Sequence, residues 1–454
     1  MAMIKNFSSV SIEGERSWVI DLEKKLTCNN AANPRDEEIQ WKKPSIFRLP
    51  EFVKMIKPGV FTPKVVALGP YHHHKSDLQP LEFHKERALH NFLKRGDKSL
   101  SVYVDRMMEV VKELQCSYVD LSDEWQNQND FIKLMIIDGC FMLEVLRLDD
   151  KHCKHYAPSD PFYGSHAMKH KVPYMRRDML MLENQLPILV FKKLVSIEMD
   201  VDEEEAERTI TELVLRFFVP RIYYNKEDLT EFTKRIHGFH ALDIYRRSQL
   251  FISTKTPQLP IRKTSSYLTN FAVMRSAARQ REAGIKFKRS RSSALTTISF
   301  DSKRGILTLP EVTVDDSTEY VFLNMVALEH IHAESGSDIS SYVAFMGALV
   351  DSAEDVQLLH RHGMVKNGLG SDEDFADLFN RMSEEVIVDQ GGSLGVVQWE
   401  VEKYCQRGWN KCCAYLKHTY FRNPWTAISV FAAAFAIFLT LVSTVVSFLQ
   451  WKNV

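Results

Sequence analysis

Along most of the chain the apolar positions recur at helical spacing, in blocks separated by polar turns. A helix is expected to begin near Pro80, with Leu81, Ala88, Leu89, Phe92 and Leu93 on one face. Further amphipathic helices are predicted over residues 100–116, 129–148, 172–196 and 205–217, and again over 318–335, 340–350, 353–361, 373–388 and 397–420. The acidic run from Asp200 to Glu207 suits the positive end of a helix dipole. One stretch, residues 294–314, reads differently: two β-branched runs flank the polar turn Asp301 to Gly305 and predict a hairpin. The expected fold class is therefore mainly α, a large helical domain with a small β-hairpin element.

One block has no polar face. From Trp425 to Leu449 there are 25 residues without a charge, Pro, Gly, Asn or Gln, of which nineteen are apolar and six are Ser or Thr. About 20 apolar residues in a helix cross the ~30 Å hydrocarbon core, and a helix satisfies its own backbone polar groups there. A C-terminal transmembrane helix is the expectation. Arg407, Lys411, Lys417 and Arg422 precede the block and only Lys452 follows it, which favours a cytosolic large domain. The opening residues have no apolar signal-peptide region. The expected localisation is single-pass at the plasma membrane or an endomembrane. Within the block Ser429, Ala433, Ala436, Thr440, Ser443 and Ser447 recur every three or four residues, a seam of small residues along which a second helix can approach.

Composition adds bounds rather than a function. The chain has 454 residues, 45% hydrophobic and 26% charged, with a net charge of −1. That balance gives no bias toward nucleic acid. Its seven cysteines are irregularly spaced and argue against a disulfide framework. The organisation expected is an N-terminal arm and linker over 1–40, a helical globular domain over 41–396, a basic aromatic juxtamembrane helix over 397–424, the membrane helix over 425–449 and a short tail over 450–454. Cys412 and Cys413, in the juxtamembrane segment, are candidates for lipidation.

No constellation of residues makes a convincing active site. His72, His73 and His74 are adjacent, and three neighbours on an extended strand cannot converge on one metal. His166 and His170 have the i, i+4 spacing of helical metal ligands, with His152, Cys153 and His155 nearby, but lack the acidic residue of the zinc-protease pattern. Gly391 to Gly395 fits G-x-S-x-G around Ser393, yet only His418 follows as a base, close to the membrane helix. Asp138, Glu144, Asp178 and Glu183 sit among apolar residues. With Arg176, Arg177, Asn184 and Gln185 beside the second pair, they read as buried polar groups that fix helix packing. Residues 275–291 form a basic patch opposed only by Glu282; it reads as solvated surface, and anionic lipid headgroups are the nearest phosphates for it. No catalytic residue, cofactor or metal is assigned.

Several segments resemble the plant domain-of-unknown-function (DUF) 247 family. They are IFRLPEFVKMIKPGVFTPKVVALGPYHHH from Ile46, with the signature at Pro63 to His73, then Leu81-Glu82 with Lys85, and Asp138 to Phe141. The likeness continues at Asp178 to Pro187, His240 to Asp243, Glu282 to Phe287, Asn324 with Glu329, Leu369 to Asn380 and Phe421 to Ser429. His74 stands where that family often has Gly, and Ala278-Arg279-Gln280 is more basic than usual. The resemblance implies a plant protein with a C-terminal membrane helix, no established enzymatic activity and a role in reproduction, as in self-incompatibility or sex determination. Taken with the residue patterns, it favours a non-enzymatic, membrane-anchored recognition or signalling protein. Its expected partners are the lipid bilayer and other proteins, including a second copy through the membrane helix. A serine hydrolase using Ser393 and a metal-binding protein using His166 and His170 are the alternative readings.

Overall fold

A computed structural model describes residues 44–57, 59–147, 156–219, 226–252, 274–384, 386, 392–407 and 424–452. The first half is helical: α1 Glu51–Ile56, α2 Glu82–Gly96, α3 Leu100–Met108, α4 Val111–Cys116, α5 Gln128–Leu146, α6 Ser165–Met179, α7 Ile188–Met199, α8 Glu203–Phe218, α9 Lys226–Arg235 and α10 Ala241–Leu250. Local chemistry sets several starts. The Asn127 side chain accepts the Asn129 N–H at α5, and Asp202 accepts the Glu205 N–H at 2.8 Å at α8, each satisfying a donor that the first helical turn leaves free. Helix α5 is buried along most of its length, including Asp138 and Glu144. It presses on α7 at Gly139, where an added Cβ would lie 2.7 Å from Leu194 Cδ1 and 2.8 Å from Val190 Cγ1.

The expected single helix over 172–196 is two helices, α6 and α7, with a non-helical link between them. Side chains within the link supply the reason. Asn184 Nδ2 donates to Asp178 O at 2.9 Å, and Gln185 Nε2 donates to Met179 O and Met181 O at 2.8 and 2.7 Å. Those amides take carbonyls that a continuing helix would have used, and Pro187 then caps the start of α7.

The second half runs α11 Ala277–Glu282, β1 Lys286–Arg289, β2 Ser299–Asp301, β3 Ile306–Leu309, β4 Val312–Val314, α12 Thr318–Ile331, α13 Asp338–Leu349, α14 Ala353–Arg361, β5 Val365–Asn367, α15 Asp372–Glu384 and α16 Ser393–Cys405. The predicted hairpin is present as antiparallel β2 and β3, turning at Gly305, whose φ is +65°. Strand β1 joins the other edge of β3 in parallel, and β4 pairs in parallel with β5. The two parallel pairings are additions to the hairpin expected.

Two apolar clusters fill the interior. One is built mainly from α2 to α10, the other from α12 to α16 with the small sheets. The strap from Ile46 to Leu68 contributes to both: Ile46, Val66 and Leu68 enter the first, and Leu49, Val60 and Phe61 enter the second. The α6–α7 link divides likewise, with Leu186 in the first and Leu180 and Leu182 in the second.

A last helix, α17, spans Pro424–Lys452. Among the described residues no helix is long and apolar enough to cross a membrane. The expected membrane helix is therefore not established by the fold. The described apolar side chains of α17 are exposed, Phe431, Phe435 and Leu441 at 60–64%. The expected arm over 1–40, Cys412, Cys413 and most of the helix expected over 397–420 lie outside the described residues.

Candidate functional site

The densest polar chemistry lies where the strap crosses the α6–α7 link, at the junction of the two cores. Outside α1 the strap cannot pair its own N–H groups as a helix does, so its buried donors need acceptors from elsewhere. The last turn of α6 and the link supply them. Asp178 Oδ2 accepts the N–H groups of Lys64, Val65 and Val66 at 2.9, 2.6 and 3.1 Å. Asn184 Oδ1 accepts from Leu68 N at 2.6 Å and its amide donates to Val66 O at 3.0 Å. Glu183 Oε1 accepts from Leu49 N at 2.6 Å. On the far side, Asn324 of α12 accepts the Leu182 N–H at 2.9 Å and donates to Val60 O at 3.2 Å.

Below this clasp sits a buried cation. Lys85 and Asp138 are both fully shielded, with Nζ 2.6 Å from Oδ1. Lys85 Nζ also donates to Ala67 O at 2.6 Å and forms an ion pair with Glu82 Oε1 at 2.7 Å. Asp138 Oδ2 accepts the Gly69 N–H at 2.8 Å. Burial opposes charge on Lys85, but Asp138 and Glu82 outweigh it and hold the ammonium above the usual lysine pKa. Burial pulls the Asp138 carboxyl upward against Lys85 and Gly69. With the ammonium 2.6 Å from the carboxylate, we assign the pair as ionic.

The three adjacent histidines separate by environment. His72 is buried, its Nε2 is 3.3 Å from Glu183 Oε2, and burial lowers its pKa. Glu183 also meets Lys54 Nζ at 2.8 Å; although burial opposes its charge, His72, Lys54 and the Leu49 N–H hold it below the usual glutamate pKa. His73 lies edge-on to Trp125, while His74 is exposed beside Glu124. They do not converge.

A second knot fixes α10 to α12. Glu329 accepts Arg246 Nε at 3.0 Å and the N–H groups of Ile339 and Ser340 at 2.9 and 2.8 Å, and burial raises its carboxyl. His240 is wholly buried, with Nε2 3.0 Å from Ser45 O, and desolvation lowers its pKa to about 4. Two surface clefts lie apart from these networks. One, of about 430 Å³, is lined by Arg281, Glu282, Glu354, Gln357 and Arg361; the other, of about 420 Å³, by Glu86, Arg87, His90, Tyr156 and Asp160.

The network reading of Asp178 and Glu183 holds in geometry, with Arg177 3.1 Å from Asp178 while Arg176 lies instead over the Phe217 ring at 4.7 Å. Glu144 is buried as well, beside the Tyr156 hydroxyl at 3.1 Å. The pairing of Lys85 with Asp138 was missed. Its signal was Lys85 falling on the stripe of Leu81, Ala88 and Phe92, the buried face of α2. His166 and His170 stand one turn apart on α6, both exposed, with ring centroids 5.0 Å apart. Among the described residues no group of three or more such ligands is placed to hold a metal ion; His152, Cys153 and His155 lie outside them. Ser393 opens α16 and has no histidine partner among the described residues. The seam residues Ser429 to Ser447 are exposed on α17, where the Thr440 hydroxyl donates to Ala436 O at 2.8 Å.

The likeness to other proteins spans the strap, the link and the helices they bind. The model of the DUF247 family, described as plant protein of unknown function, matches residues 46–439. UPF0481 protein At3g47200 of Arabidopsis thaliana is 29% identical over 432 residues, which cover 90% of this chain and 87% of that protein. Putative UPF0481 protein At3g02645 of Arabidopsis thaliana is 22% identical over 516 residues, covering 94% of this chain and 93% of that protein. No solved structure matches. A family match that begins on the strap and runs into α17 covers nearly the whole fold, and the chain belongs to the DUF247 family of plant proteins of unknown function.

Proposed function

We propose that this protein is a non-enzymatic recognition or signalling protein, held to a membrane by α17, whose helical domain binds other proteins. The observation that carries the proposal is α17 itself. It extends over 29 residues, and its described apolar side chains, from Ile428 to Val446, are exposed. Such a surface is costly in water and favourable in lipid. The clasp supports a non-catalytic domain: its charged groups are spent on backbone N–H groups and on one another, an arrangement that holds shape. The reproductive role implied by the family resemblance belongs to the same proposal.

Protease protection on sealed vesicles, combined with proximity labelling from an N-terminal fusion in plant cells, tests it. The expected result is a digestible domain, a short protected C-terminal fragment and labelled cytosolic neighbours. A domain shielded by intact vesicles, or covalent labelling of Ser393 by a serine-hydrolase probe, would overturn it.

A further inference from the structure

The basic patch takes on a definite shape in the fold. Between Arg275 and Arg291 there are seven Lys or Arg residues and one Glu. Strand alternation sorts those on β1: Phe287 points into the second core, and Lys286 and Lys288 point outward. Arg289 is already occupied, 2.7 Å from the buried Glu311. Lys286 N donates to Gly305 O at 2.8 Å, which places it beside the β2–β3 turn carrying Lys303 and Arg304. Asp301, the acidic residue of that turn, is engaged by the N–H groups of Lys303 and Arg304 at 3.0 and 3.2 Å. Arg304 remains 79% exposed, 3.9 Å from the Asp301 carboxylate, and Lys286, Lys288 and Lys303 carry no ion pair among the described residues.

The same end of the sheet receives the C-terminus of α16. Tyr404 meets Phe300 edge-on at 5.5 Å, a Cβ on Gly305 would lie 2.5 Å from its hydroxyl, and the Arg407 guanidinium sits over its ring at 5.1 Å. Lys286, Lys303, Arg304 and Arg407 thus gather where the chain leaves α16 for α17. Sixteen residues separate Arg407 from Pro424, and they include Lys411, Lys417 and Arg422 but no Asp or Glu. Even fully extended, that segment reaches at most about 55 Å.

We infer that this end of the three-stranded sheet docks on the anionic headgroups of the membrane that holds α17. The inference rests on the anchor reading and deepens it: the tether keeps the cationic end near the leaflet, and the leaflet's negative surface potential attracts it. The domain is thereby held in one orientation, with the clasp and the clefts directed elsewhere.

The full chain is reconstituted in nanodiscs of phosphatidylcholine alone, or with about one third phosphatidylserine, and exposed lysines are acetylated and quantified by mass spectrometry. Modification of Lys286, Lys288 and Lys303 is expected to fall at least about threefold in the anionic discs. It should recover in about 0.5 M salt, where screening is short-ranged, while Lys112 on α4 stays unchanged. Lys303→Glu with Arg304→Glu should abolish the protection of Lys286. Equal modification in both kinds of disc overturns the docking and leaves the anchor standing. Equal protection by inorganic phosphate in neutral discs also overturns it, in favour of a soluble phosphate ligand. A chain that does not co-elute with neutral discs overturns the anchor and the docking with it.

Discussion

Lys85 Nζ lies 2.6 Å from Asp138 Oδ1 with neither side chain exposed, and the same ammonium reaches the Ala67 carbonyl of the strap. The pair thus joins α2, α5 and the strap. Removing one partner of a buried pair leaves an uncompensated charge, a loss of about 3–5 kcal/mol. Lys85→Met is expected to lower the unfolding free energy by about that amount, measured by urea denaturation of the detergent-solubilised chain. Adding Asp138→Leu should recover part of the loss. A single variant as stable as the wild type would show the pair to be dispensable.

Stability should also respond to acid through His240. Its pKa is about 4 in the fold because burial disfavours the charged form, against about 6.5 for an unfolded histidine. Between those values the unfolded chain binds more protons, so stability rises with pH across the window and is lost as pH falls from 6.5 toward 4. The full effect is on the order of 3 kcal/mol. His240→Gln should flatten the slope of unfolding free energy between pH 4 and 6.5; an unchanged slope would assign the acid response to other groups.

Gly305 couples the hairpin to α16. Its φ of +65° disfavours any side chain, and a Cβ would lie 2.5 Å from the Tyr404 hydroxyl. Gly305→Val is expected to destabilise the chain by about 1–3 kcal/mol and to speed amide exchange in β2 and in the last turn of α16 together. Faster exchange in β2 alone would contradict the coupling.

Lateral association through α17 is open to a direct assay. Leucine at Ala433, Ala436 and Thr440 would widen the small-residue seam. The signal in a membrane dimerisation reporter should drop severalfold relative to wild type. An unchanged signal would remove the seam from the account.

Spacing alone located the elements held by local chemistry, such as α8 behind its Asp202 cap and the hairpin at Asp301 to Gly305. It failed where distant partners decide. Strands β1 and β5 are short, and their parallel mates come from separate segments, so no local turn announces them. The helix expected over 172–196 carried continuous apolar spacing, and the backbone-directed amides of Asn184 and Gln185, with Pro187 after them, break it. In the clasp, Asp178 and Glu183 were legible as polar residues in apolar surroundings. Their true partners, the N–H groups of a strap more than 100 residues away, were not.

The central claim is that α17 holds the protein in a membrane, and alkaline extraction of membranes from cells expressing the full chain tests it most directly. The wild type should stay in the pellet. Phe435→Arg with Phe438→Arg should move much of the protein to the supernatant, since each central arginine disfavours insertion by about 2.5–3.5 kcal/mol. Release of the wild type at alkaline pH would contradict the account.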